Sequence, residues 1–236
     1  MIHKSTYTDK QMSDIREPLP YRLGSLSLQV QIFYKLVFVC PLLMLTILFS
    51  CTEGSKTKTP MPTHTFNADG SINAYIEIPA GSNLKYEYDA EKQSLEPDQV
   101  NNKDRVIDFL PYVGNYGFIT ATEMDSAKGG DGDALDVLVL SESVEKGTIM
   151  RVLPIAVILL EDQGEKDHKI IAVPFDASKR TINVEKFSAF ITRYNAAQFI
   201  VQEWFLNYKG LGAMKLKGWK DEQYALKEIK RWSTDQ

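Results

Sequence analysis

Residues 129–140 read GGDGDALDVLVL and place Asp131, Asp133 and Asp136 within six positions, directly against an apolar run. Like charges this close repel one another. A solvated acidic turn is the bland reading of such a stretch. With three aspartates abutting a strand that must be buried, the repulsion needs an offset, and a hard divalent cation supplies it best. An EF-hand loop does not fit. Counted from Asp131, Asp133 takes position 3 and Glu142 position 12. Position 5 is Leu135, position 6 is Asp136, and VLVL runs where the chain must remain loop. The whole chain has three histidines, and its two cysteines, Cys40 and Cys51, both lie near the N-terminus. Oxygen ligands are therefore what the rest of the chain can offer, which selects Mg²⁺, Mn²⁺ or Ca²⁺ over zinc.

Other charges stand where such a site could recruit them. Asp162, Asp167 and Lys169 lie in EDQGEKDHK, a turn between two apolar segments; Glu77 interrupts the apolar IEIP; Lys85 and Glu87 share one face of LKYEYD. Each alone reads as a turn or rim charge. Together they match what a polyanion bound through metals requires, carboxylates for the ions and cationic or hydroxyl donors for the oxygens, as in polyphosphate chemistry. His168 reads as a surface residue. Tyr208 closes an apolar helical stripe, which periodicity makes a core position, and Lys209 follows it at a helix C-terminus, where a cation is favoured.

The elements that must position these groups are mostly strands. Alternation and β-branched density predict strands at 74–79, 84–89, 105–110, 116–122, 136–140, 149–161 and 169–175, separated by Gly, Asn, Asp and Pro clusters. Their spacing suggests a small barrel or sandwich. The period then changes: Phe187, Phe190, Ile191, Tyr194, Val201, Trp204, Phe205 and Tyr208 recur at helical spacing up to a C-capping Gly210, and a second helix runs from an N-capping Asp221 to about Trp232. The fold class expected is mainly β with flanking α, one barrel-like β domain with two C-terminal helices.

The N-terminal end has a different character. Leu36–Phe49 holds 14 residues without a charge, short for a membrane span but suited to the core of a signal peptide, with Arg22 and Lys35 ahead of it. LFSC, ending at Cys51, resembles the lipobox of bacterial lipoproteins, which implies lipidation of Cys51. A buried helix of the domain is the alternative. On this reading residues 1–50 are the signal, 51–70 a polar tether, and 71–236 the functional domain. The 236 residues are 44% hydrophobic, enough for one good core, and the formal charge of −4 argues against a nucleic-acid partner.

The ordered segments IEIPAGSNLKYEYD, YVGNYGFI, DGDALDVLV, EDQGEKDHKIIAVP and NYKGLGAMKLKGW resemble those of the family I soluble inorganic pyrophosphatases, from Ala74 to about Trp219. The resemblance implies a small closed OB-like β-barrel and Mg²⁺-dependent hydrolysis of pyrophosphate to two orthophosphates by direct attack of a metal-activated water. It implies that Asp131, Asp136, Asp162 and Asp167 hold several Mg²⁺ ions, with Glu77 assisting. It makes Asp133 the general base, and Lys85, Arg105, Tyr116, Lys169, Tyr208 and Lys209 the grip on phosphate, supported by Glu87 and Tyr112. Members of this family are commonly oligomers of one chain. The competing readings are a non-catalytic envelope lipoprotein that binds metal–phosphate ligands, and a broader phosphatase. The expected location is the bacterial cell envelope by a lipid anchor, or the cytoplasm if the signal is not used.

Overall fold

The computed structural model describes residues 61–235; the expected signal segment 1–50 and Cys51 lie outside them. The described chain forms strands β1 (Ile72–Ile78), β2 (Tyr86–Asp89), β3 (Ser94–Pro97), β4 (Gln99–Val100), β5 (Lys103–Asp104), β6 (Asn115–Ile119), β7 (Asp136–Val139), β8 (Ile149–Asp162), β9 (Glu165–Lys166), β10 (Lys169–Pro174) and β11 (Met214–Asp221). The helices are α1 (Phe187–Arg193), α2 (Asn195–Asn207) and α3 (Glu222–Trp232).

Pairings β1–β6, β6–β7, β7–β10, β10–β8 and β8–β1 return to their starting point, so these strands form a ring, and the part of β8 beyond β1 keeps a side for a further strand. The long β8 makes closure possible. Its first residues pair with β1 (Val152 opposite Ile72), its middle with β10 (Ala156 opposite Ile171), and its end with β11 (Leu160 opposite Leu216). The β7–β10 ladder is parallel, Ile170 aligned with Val137.

Both faces of the central strands are covered, which is why VLVL and KIIAVP read as continuous apolar runs rather than alternating ones. Val137, Val139, Ile170 and Ala172 pack with Ile229 and Trp232 of α3, while Leu138, Ile171 and Val173 pack with Phe190, Trp204 and Phe205 of α1 and α2. Asp221 caps α3 by accepting the Tyr224 N–H at 3.0 Å.

Four expectations change. The helical stripe 187–208 is broken at Tyr194 (φ −134°, ψ 38°), so two helices stand where one was expected, three in all among the described residues. Ile191, Thr192 and Tyr194 are weak helix formers, followed by Asn195, so little opposes the break. Residues 105–110 are no strand. Val106 forms an isolated bridge with Leu84, and Leu110 is 63% exposed, because the backbone is spent on cross-links to Asn83 and Asp98. Conversely, MKLKGWKD pairs along β8 as β11; its lysines point to solvent and Gly218 sits at a register shift, which hides the strand in the sequence. Finally, the domain's packed part starts before residue 71. Thr65 is fully buried, its Oγ1 donating to the carbonyls of Thr120 (3.0 Å) and Ala121 (2.9 Å), and Phe66 bridges Ile72.

Candidate active site

The strand ends on one side of the ring open into a cavity of about 790 Å³, and all fourteen residues singled out within the domain line it. Asp136 opens β7 and Lys169 opens β10, next to each other across the parallel ladder. The Lys169 ammonium, 3% exposed, donates to both Asp136 Oδ2 and Asp167 Oδ1. Burial alone would lower its pKa, but the two carboxylates outweigh that and raise it. Asp136 is displaced upward, first by burial and then by the charge of Asp167, with Lys169 acting in opposition. Asp167 Oδ2 is buried and has no hydrogen-bond partner.

Asp131 and Asp133 lie in a turn ahead of β7. The Asp133 N–H donates to Asp131 Oδ1 at 3.0 Å, and the turn is sewn to Met124 by Met124 N–H to Asp133 O (2.7 Å) and Gly132 N–H to Met124 O (2.8 Å). Gly130 permits this approach, since a Cβ there would stand 2.2 Å from Met124 O. Asp133's carboxyl is pushed up by partial burial and by its neighbours Asp131, Asp136 and Glu87. Glu77, on β1, accepts the Tyr88 N–H at 2.8 Å; burial, reinforced by Asp136 and Glu87, pushes its pKa up to about 8. Asp162 ends β8 and receives Lys209 Nζ at 2.5 Å.

The cationic side is held by a residue that the sequence did not reveal. Asp98 receives Arg105 Nη1 at 3.0 Å and lies 3.3 Å from Lys85 Nζ. The same three residues are laced through their backbones: Lys85 N–H to Arg105 O, Asp98 N–H to Lys85 O, and Arg105 N–H to Asp98 O, at 2.7–3.0 Å. Burial works to raise the Asp98 pKa, yet the bond from Arg105 and the charge of Lys85 bring it below the usual range. Lys85 also contacts Glu87. An acidic residue in EPDQV carries no local signal of this role.

Aromatic rings form one wall. Trp204 stacks on Tyr208 (4.7 Å, 11° between planes) and packs on Tyr112 at 4.5 Å, while its Nε1–H donates to Leu110 O at 2.9 Å. Tyr208 is thus both a packed residue and a lining one, so its helical periodicity and its place at the site are compatible. His168 is not a surface residue. It is 11% exposed and turned away from the cavity toward Glu228 on α3.

Eight carboxylates and five cationic side chains line the cavity, and neither His nor Cys is among the lining residues. This acidic excess, the unpartnered Asp167 oxygen and the all-oxygen donor set fit hard divalent cations. Among the described residues no three such groups stand together as a ready cage; the Lys169 ammonium bonds both Asp136 and Asp167, and Lys209 bonds Asp162.

Residues 74–235 match the family model described as inorganic pyrophosphatase. An inorganic pyrophosphatase of Saccharolobus solfataricus is 38% identical over 171 residues, covering 70% of this chain and 91% of that protein. One from Mesorhizobium japonicum is 34% identical over 168 residues, covering 69% and 88%. Among solved structures, an inorganic pyrophosphatase from Coxiella burnetii aligns with TM-score 0.61 and 31% identity over 71% of this chain and 96% of that one.

Proposed function

Since the chain belongs to the inorganic pyrophosphatase family, and is an enzyme that hydrolyses pyrophosphate, we propose that the cavity at the strand ends is where it does so, with Mg²⁺ as the metal. The single observation that carries this is the convergence of acidic, cationic and phenolic side chains from distant segments on one cavity.

Asp131, Asp136, Asp162 and Asp167 would hold the Mg²⁺ ions, with Glu77 assisting; when bound, the ions neutralise phosphate oxygens and acidify water. Lys85, Arg105, Lys169 and Lys209 pair with the substrate's oxygens, and the hydroxyls of Tyr116 and Tyr208 donate to them. Asp98 and Glu87 hold Lys85, and Asp98 holds Arg105. Asp133 takes a proton from water as the water oxygen bonds to one phosphorus. The bond from that phosphorus to the bridging oxygen breaks, and the bridging oxygen leaves with the second phosphate. One water is consumed and two orthophosphates form: one of its protons stays on the phosphate it joins, and the one taken by Asp133 passes to the departing phosphate or to solvent, which restores the carboxylate. A base works best when its pKa approaches the working pH, and the upward shift of Asp133 serves that.

The test is phosphate release from pyrophosphate with Mg²⁺, compared with ATP and with a chelator. Turnover of pyrophosphate that disappears with the chelator and far exceeds turnover of ATP supports the reading. Binding without turnover would favour a non-catalytic role, and equal turnover of ATP a broader phosphatase.

For location, the apolar run and LFSC support a lipid anchor at Cys51, facing the bacterial cell envelope. Mass spectrometry of the mature N-terminus should find lipid on Cys51; an intact Met1 would sink that proposal.

A further inference from the structure

The last turns of α3 touch both segments that bring acidic groups to the cavity. On one side, Glu123 N–H donates to Trp232 O at 2.9 Å and Arg231 Nη2 to Lys128 O at 3.2 Å, at two points of the loop leading to Asp131 and Asp133. On the other side stands Glu228, a carboxylate only 5% exposed and outside the cavity lining. Its Oε2 accepts Trp232 Nε1–H at 3.1 Å and lies 3.7 Å from His168 Nδ1, a buried nitrogen with no hydrogen-bond partner, so the two side chains pack against each other without a hydrogen bond. His168 sits between Asp167 and Lys169. Side chains alternate along extended backbone, so the two residues that enter the cavity are separated by one aimed the opposite way, into α3. A buried carboxylate is costly, and an apolar side chain of similar volume is often as stable or more so in such a place.

We propose that Glu228 and His168 are positioning residues for pyrophosphate hydrolysis. Their contact fixes the face that Asp167 and Lys169 present to the cavity, and the end of α3 sets the spacing of that segment from the Asp131–Asp133 turn. This rests on the reading of Asp167 as a metal ligand. Residues that orient ligands from behind are typically worth about 10–100-fold in metal affinity or activity.

The experiment compares Glu228→Ala, His168→Ala, their double variant, Glu228→Gln, Ile229→Ala and Asp167→Asn with the intact protein. It measures kcat, KM, and Mg²⁺ affinity by calorimetry without pyrophosphate. Glu228→Ala and His168→Ala should each weaken Mg²⁺ binding and lower kcat by about tenfold, with KM little changed. The double variant should be no worse than the worse single one, because both remove one contact. Glu228→Gln keeps an acceptor for Trp232 and a partner for His168, and should retain most activity. Ile229→Ala loosens the same helix through its core face and should lower Tm without changing Mg²⁺ affinity. Mg²⁺ affinity and kcat unchanged in both alanine variants, or shifted equally by Ile229→Ala, would overturn the proposal. Asp167→Asn separates the two levels. If it keeps full Mg²⁺ affinity and turnover, the reading of the site fails; if it is impaired while Glu228→Ala is not, the positioning role alone fails.

Discussion

The Lys169 ammonium donates to the Asp136 carboxylate across the parallel β7–β10 ladder, joining the residues that open those two strands. Lys169 also bonds Asp167, so a single buried cation balances two partly buried acids. Lys169→Met would leave these acids facing each other. Breaking one partner of a buried pair costs about 3–5 kcal/mol. The variant should show a large fall in Tm by calorimetry without metal, partly restored by Mg²⁺, and should lose most turnover in either condition. An unchanged Tm without metal would contradict the balance described.

Asp133→Asn keeps the size of the side chain and its N–H contact to Asp131 but removes the carboxylate proposed as the base. General bases contribute about 10²–10⁴-fold, and kcat should fall by that order while Mg²⁺ binding by calorimetry stays close to the intact protein's. Normal kcat would exclude the assigned role.

Asp98 does not line the cavity, yet it organises two residues that do. Asp98→Ala should free Lys85 and Arg105 from their common partner and raise KM for pyrophosphate by about tenfold, the scale of a lost charge-assisted hydrogen bond, with a smaller change in kcat. Steady-state kinetics at saturating Mg²⁺ would show it.

Stability without metal should depend on pH in an unusual direction. Glu77 has a folded-state pKa pushed up to about 8. Between its ordinary value and that point the folded protein holds a proton that the unfolded chain releases, so the stabilisation is complete below the ordinary carboxyl range and is lost as pH rises toward about 8. Asp133 and Asp136 shift the same way. Thermal unfolding in chelator should therefore show Tm falling across that window. Glu77→Gln should flatten part of the slope, and Mg²⁺ should flatten more of it.

Much of this was legible in the sequence because strong local patterns agreed with tertiary needs. VLVL, IAVILL and KIIAVP are apolar on both faces because both faces are buried, and Asp221 announces α3 by its capping chemistry. The aspartate triplet stood out as a charge conflict, and the structure brings it to one cavity with Asp162 and Asp167. Other features were hidden because their cause is not local. β11 is recruited by the free side of β8 despite its lysines. The break at Tyr194 leaves the apolar period intact, so periodicity could not register it. Asp98 and the inward turn of His168 depend on segments far away in the chain.

The stacking of Trp204 on Tyr208 gives the domain a built-in optical probe. Indole emission responds to the ring lying against it, and this ring lines the cavity while packing on a neighbour of Tyr112. Occupancy of the proposed site should therefore change the intrinsic fluorescence, and stopped flow without labels would read it. Trp204→Phe serves as the dark control that separates its signal from those of Trp219 and Trp232.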